Sequence, residues 1–152
     1  MMVNRSSPTA TVIPVLGYED VSTASDWLCD AFGFRVRLRI GNHRTQLVFG
    51  DGAVIVTERR MGQGIDAPDR AEPRPPHADE LSHAVHVRVV DVDRHYEHAR
   101  QRGARILRPP ADYPYGERQY TAEDLGGHRW TFSQSIADVA PEDWGGTPVE
   151  IE

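Results

Sequence analysis

The landmarks of residues 11–58 return in the same order in residues 82–134, and this duplication confines the chain to folds built from two copies of one small unit. Asp20 and Asp91, which open the two candidate helices, lie 71 residues apart. Gly33 and Gly103, which close them, are 70 apart, and the final glycine turns at Gly52 and Gly127 are 75 apart. Offsets this even across strand, helix and turn landmarks point to a repeat rather than to coincidence.

Within the first copy, residues 11–18 read as a strand ending at Glu19-Asp20. Residues 22–32 carry Ala24, Trp27, Leu28 and Ala31 at i, i+3, i+4 and i+7, which predicts a helix with one apolar face. Asp20 or Ser22 can cap its first turn, and Gly33 stands where a left-handed C-cap is wanted. Three strands follow, over 34–40, 44–49 and 53–57, separated by Gly41-Asn42 and Gly50-Asp51-Gly52. In the first of these Val36, Leu38 and Ile40 alternate with Arg35, Arg37 and Arg39, so the arginines are expected on the wet side. The second copy reads as strand 84–90, helix 92–102 with Val92, Tyr96 and Ala99 inward, and strands 105–107, 118–123 and 128–133. Pro109-Pro110 is expected to end the short 105–107 strand. The fold class is α+β: two tandem βαβββ modules. A doubly wound parallel sheet is excluded, because it would require a helix after every strand.

The 152 residues suffice for one well-packed domain spanning 1–152. A net charge of −6 argues against a nucleic-acid partner, which would need a basic face. Cys29 is the only cysteine, so no internal disulfide can form and a reducing, cytoplasmic setting is expected. No stretch approaches the roughly 20 apolar residues of a membrane helix, so no membrane association is expected. Residues 59–81, with Pro68, Pro73, Pro75 and Pro76, read as a mobile linker. Residues 135–152 form a tail whose Trp144 is expected to dock on the body or on a partner subunit.

Pro114-Tyr115-Gly116-Glu117-Arg118-Gln119-Tyr120, followed by Asp124-Leu125-Gly126-Gly127-His128-Arg129-Trp130-Thr131-Phe132, resembles a known signature. It is similar to the "PYG-(D/E)-R-x-Y … D-P-x-G-H-x-W-x-F" ending of proteins in the vicinal oxygen chelate superfamily of glyoxalases, dioxygenases and bleomycin-resistance proteins. Ala31-Phe32-Gly33-Phe34, Phe49-Gly50-Asp51-Gly52 and Val89-Val90-Asp91-Val92-Asp93 match further landmarks, and Leu125 departs from the usual proline. The resemblance implies a cup-shaped mixed sheet, a homodimer, and a small-molecule ligand in the cup. It leaves the chemistry open, because the same scaffold serves several unrelated reactions and pure binding.

Metal-dependent members of that superfamily hold one divalent ion with four His, Glu or Gln side chains, two on the first strands and two on the last. Seven residues before Asp20 and Asp91 stand Ile13 and Ala84; the last-strand positions fall on Thr131 and on Val54 or Val56. None is a good ligand, so no metal and no cofactor is expected. His95 and His98 read as a solvated helix pair, while His43 and His128 sit in turns with no assigned role.

If Val85, Val87 and Val89 face the helix, alternation turns Ala84, His86 and Arg88 into the cup, with Thr131 beside them and Ile13 and Val15 in the other module. The candidate ligand-binding set is therefore Ile13, Val15, Ala84, His86, Arg88, Arg118 and Thr131. His86 is a candidate general base, Arg88 a candidate clamp, and Glu117 and Arg118 candidate rim residues. Arg118 can alternatively pair with Asp124 or Glu117. Three functions stay open: a metal-free protein that sequesters a small, partly aromatic compound; an enzyme with shifted ligands such as Glu58, Glu117 or His86; and a dimeric interaction module with a vestigial cup.

Overall fold

The computed structural model describes residues 2–59 and 82–151. They fall into two compact units. The first holds the residues up to Arg59 with Ser82 and Asp124–His128; the second holds His83–Glu123 and the chain from Arg129 onward. Apart from Arg59, the expected linker lies outside the described residues. Arg59 itself belongs to the first unit, its backbone N–H bonded to the Tyr18 carbonyl at 2.7 Å.

The first unit runs β1 (Val15–Tyr18), α1 (Val21–Trp27), a π-helical turn (Leu28–Phe32), β2 (Arg35–Ile40), β3 (Arg44–Phe49) and β4 (Gly52–Glu58). The sheet order is β1-β4-β3-β2, with β1 parallel to β4 and the other pairs antiparallel. Asp20 is extended and its carboxylate accepts the Thr23 N–H at 2.9 Å, capping α1. Gly33 ends the helical run at φ 88°, where a side chain would be strained. Of the apolar stripe read from the sequence, Ala24, Leu28 and Ala31 are buried and Trp27 only half-buried; the buried three join Phe32, Leu16, Tyr18, Leu47 and Val56 in the core. Burying a large side chain of this kind contributes about 1.5–3 kcal/mol.

β2 departs from strict alternation. A register shift between Val36 and Leu38 places Leu38 opposite Gln46 and Arg39 opposite Thr45. Arg39 therefore lies on the helix side, 3.5 Å from Asp26 of α1, instead of sharing one wet face with Arg35 and Arg37. The bulge inserts one residue, and a one-residue slip exchanges the faces.

The second unit repeats the plan with β5 (Val85–Arg88), α2 (Val92–Gln101), β6 (Arg105–Tyr113), β7 (Glu117–Glu123) and β8 (Arg129–Ser135). Its order is β5-β8-β7-β6, again with the first and last strands parallel. Val92, Ala99, Tyr120, Ala122, Trp130 and Phe132 form its core. Contrary to expectation, Pro109-Pro110 does not end β6. The strand passes through them with register shifts on either side of Arg108. β6 is an edge strand, where a proline without an N–H can be tolerated. Beyond β8, a 3-10 turn (Pro141–Trp144) sets Trp144 against Tyr115 at 5.2 Å.

Candidate functional site

In the second sheet the pairing Val85↔Trp130 and Val87↔Phe132 turns these four side chains toward α2. The residues between them share the opposite face. They align in cross-strand rows: His86, Thr131, Thr121 and Arg108; then Arg88, Ser133, Gln119 and Ala111; then Ser135, Glu117 and Tyr113. A further row holds Arg129, Glu123 and Arg105, with Ala84 one residue before β5. Of the sequence candidates, Ala84, His86, Arg88, Glu117 and Thr131 are thus brought to one face.

His86 is the organised member. Its Nε2 lies 2.7 Å from the Ser133 hydroxyl and 3.8 Å from Glu117 Oε1, and that carboxylate accepts a bond from Gln119 at 2.7 Å. Both partners use the same ring nitrogen, so this is no nucleophile–base–acid relay, which needs one partner on each nitrogen. Ser133 is also fully buried, out of a substrate's reach. The arrangement holds an imidazole that is half exposed (51%) and leaves Nδ1 available to a ligand. Beside it the Thr121 and Thr131 hydroxyls share a 3.2 Å bond.

Arg118 is placed on the other face of β7. Its guanidinium bonds Asp93 of α2 and Asp112 of β6, each at 2.9 Å, rather than Asp124 or Glu117. Its bonds to Asp112 first and Asp93 second push its pKa upward. Ile13 and Val15 belong to the first unit. Val15 is 53% exposed and pairs with Ile55 on the face opposite α1. Val54 and Val56 are buried on the helix side, so the β4 residues on the opposite face are Ala53, Ile55 and Thr57.

These residues do not fit the divalent ion associated with such a scaffold. The positions where the resemblance implies ligands, Ile13, Ala84, Thr131 and Val54 or Val56, offer no imidazole or carboxylate, and such an ion needs nitrogen or charged oxygen donors. Among the described residues no three His, Cys, Asp or Glu side chains converge.

Several arrangements escaped the sequence. In the first unit the Tyr18 hydroxyl donates to Asp124 Oδ2 at 2.6 Å, while the N–H groups of Gly126 and His128 donate to Oδ1, each at 2.9 Å. Burial first, and Asp124 second, push the Tyr18 phenol well above its ordinary pKa. His128, unassigned from the sequence, is buried with Nε2 2.7 Å from the Gly17 carbonyl. The Arg59 guanidinium bonds the carbonyls of Gly17 at 3.1 Å and Gly126 at 2.7 Å. Next to this cluster lies a cavity of about 320 Å³ lined by Glu19, Asp20, Thr23, Arg59 and Leu125 among others. It contains none of the candidate ligand-binding residues. In the second unit His95 is not a solvated partner of His98: its Nδ1 lies 2.6 Å from the Tyr120 hydroxyl and its ring 4.3 Å from Phe132.

Residues 11–132 match the family model described as Glyoxalase/Bleomycin resistance protein/Dioxygenase superfamily. TioX from Micromonospora sp. ML1 is 34% identical with a TM-score of 0.64, over 82% of this chain and 98% of that one. A glyoxalase-related enzyme from Fulvimarina pelagi is 19% identical with a TM-score of 0.64, over 83% of this chain and 88% of that one. Lactoylglutathione lyase from Agrobacterium tumefaciens is 17% identical with a TM-score of 0.59, over 84% of this chain and 94% of that one. The last two share the fold alone. None of the curated proteins matches.

Proposed function

The chain belongs to the Glyoxalase/Bleomycin resistance protein/Dioxygenase superfamily, and from that premise we propose that it is a metal-independent binding protein for a small, partly aromatic molecule. What supports this proposal is the chemistry of the residues at the positions where the resemblance implies ion ligands: Ile13, Ala84, Thr131 and Val54 or Val56, none of them an imidazole or a carboxylate. The ligand-binding surface is the face of the second sheet that carries His86. Ser133 and Glu117 hold the imidazole there, and Thr121 and Thr131 supply hydroxyls. Tyr113, at the Glu117 end of that face, stacks on Tyr115 with ring centres 5.6 Å apart and offers an aromatic surface. Sequestration of a toxic compound suits such a face, because retention needs affinity and no reacting group. We take the working form to be a homodimer.

A second proposal rests on one contact. His86 Nε2 and Glu117 Oε1, 3.8 Å apart, are two of the donor types a metal-dependent lyase, isomerase or dioxygenase uses. Metal analysis of protein purified without chelator, with a thermal-shift screen of aromatic compounds before and after EDTA, separates the two. Binding predicts sub-stoichiometric metal and ligand shifts that chelation leaves unchanged; a ligand at a hundredfold excess over its Kd stabilises by about 2.7 kcal/mol. One tightly held divalent ion per chain, with ligand shifts abolished by EDTA, supports the enzyme instead.

A further inference from the structure

The proposed binding face of the second sheet carries more arginines than its carboxylates pair with. Four arginines stand on it: Arg88, Arg105, Arg108 and Arg129. Among the described residues only Arg105 of these four has a carboxylate partner, Glu123 at 3.5 Å. Arg88, Arg108 and Arg129 make no side-chain hydrogen bond or ion pair among the described residues, and the Nε of Arg129 is buried without an acceptor. The acids on the face are already engaged. Glu123 lies beside Arg105, and Glu117 accepts from Gln119 and lies near His86. His86 adds one more nitrogen without a partner. Four arginines against two glutamates make this face locally cationic on a chain whose net charge is −6.

A guanidinium has five N–H donors and accepts nothing, and leaving a buried donor unmet is unfavourable. Of the three, Arg129 alone has a buried donor unmet, while Arg88 and Arg108 are exposed. Arg129 and Arg88 lie in the rows on either side of His86, and with no free carboxylate on the face they are complementary to a partner that brings acceptors and negative charge. Resting on the assignment of this face as the binding surface, we infer that the ligand carries an oxyanion, a carboxylate or a phosphate, held by Arg129 and Arg88 beside His86. Arg88 is exposed and Arg129 half-buried, so an oxyanion on this face can meet their outward donors, and the aromatic end at Tyr113 takes the remainder of the molecule.

The test titrates full-length protein with benzoate, phenyl phosphate and benzamide, following the His86 ring signals by NMR; His86→Gln identifies those signals. Benzoate or phenyl phosphate is expected to move the His86 signals. Arg129→Gln and Arg88→Gln each weaken that binding at least tenfold. Arg94→Gln on α2 removes the same charge away from the face and changes it less than twofold. Whichever anion binds more tightly identifies the oxyanion. If Arg129→Gln fails to fold, Arg129→Lys carries the test: it keeps the charge, loses the forked geometry, and should weaken binding severalfold. Benzamide moving His86 as strongly as benzoate, or Arg94→Gln weakening benzoate as much as Arg129→Gln, overturns the inference and leaves the binding face standing. No probe moving His86 overturns both.

Discussion

Ser133 holds His86 by one ring nitrogen only: its hydroxyl lies 2.7 Å from Nε2, and Glu117 approaches the same atom at 3.8 Å. The imidazole is thereby fixed in direction while Nδ1 stays open, an arrangement suited to contacting a ligand.

Removing that hydroxyl should release the ring. Ser133→Ala is expected to weaken aromatic-ligand binding three- to tenfold through lost preorganisation and to lower stability by about 1 kcal/mol. Calorimetric titration and urea unfolding measure the two separately. An affinity equal to the parent's would show that Ser133 serves the sheet and not the site.

The bond from Tyr18 to Asp124 makes a stability prediction in the first unit. Tyr18→Phe removes one hydrogen-bond donor from a buried carboxylate and should cost about 2 kcal/mol in chemical denaturation. The pH dependence follows from the raised phenol. A folded-state pKa above the ordinary 10.0 favours the neutral form in the native protein. The stability this contributes is fully present below about pH 10 and is lost as the pH rises beyond it toward the folded-state value. Melting curves between pH 8 and 11 should therefore fall less steeply for Tyr18→Phe than for the parent.

Gly126 meets the same tyrosine from the other side. A Cβ built there would lie 2.5 Å from the Tyr18 ring, and Tyr18 is buried and tied to Asp124. Gly126→Ala should destabilise by about 3 kcal/mol, the upper end of ordinary overpacking, because the ring has nowhere to move. A loss under 0.5 kcal/mol would show the ring to be loosely seated.

The duplicated helix starts should behave alike. Asp20 and Asp91 accept the N–H three residues on, from Thr23 at 2.9 Å and from Arg94 at 3.1 Å. Alanine at either position should cost about 1 kcal/mol, and the two losses should add in the double variant. Equilibrium unfolding of the three variants checks this.

Much of the fold was legible because the repeat, the helix periodicity and the capping aspartates are local signals. The face shared by His86 and Arg88 was legible from the parity of Val85 and Val87 alone. Arg118 shows where parity went unused. Glu117 and Arg118 are adjacent in β7, and adjacent strand residues point to opposite faces, so both could not line one rim. The bulge at Val36/Leu38 had no such signal, because an inserted residue is visible only once β2 is paired with β3. The Tyr18–Asp124 bond joins residues 106 apart, and nothing near either one announces the other. His95 was misplaced because its neighbours on α2 are charged, while its contact with Tyr120 depends on how the helix lies across the sheet.

Pro109 and Pro110, which β6 absorbs, also govern what can attach to the outer side of that strand. A chain laid alongside an exposed border must find backbone amides to bond, and these two consecutive residues have none. The rim of the second sheet is therefore interrupted midway, so end-on stacking of copies into an extended ribbon is disfavoured there.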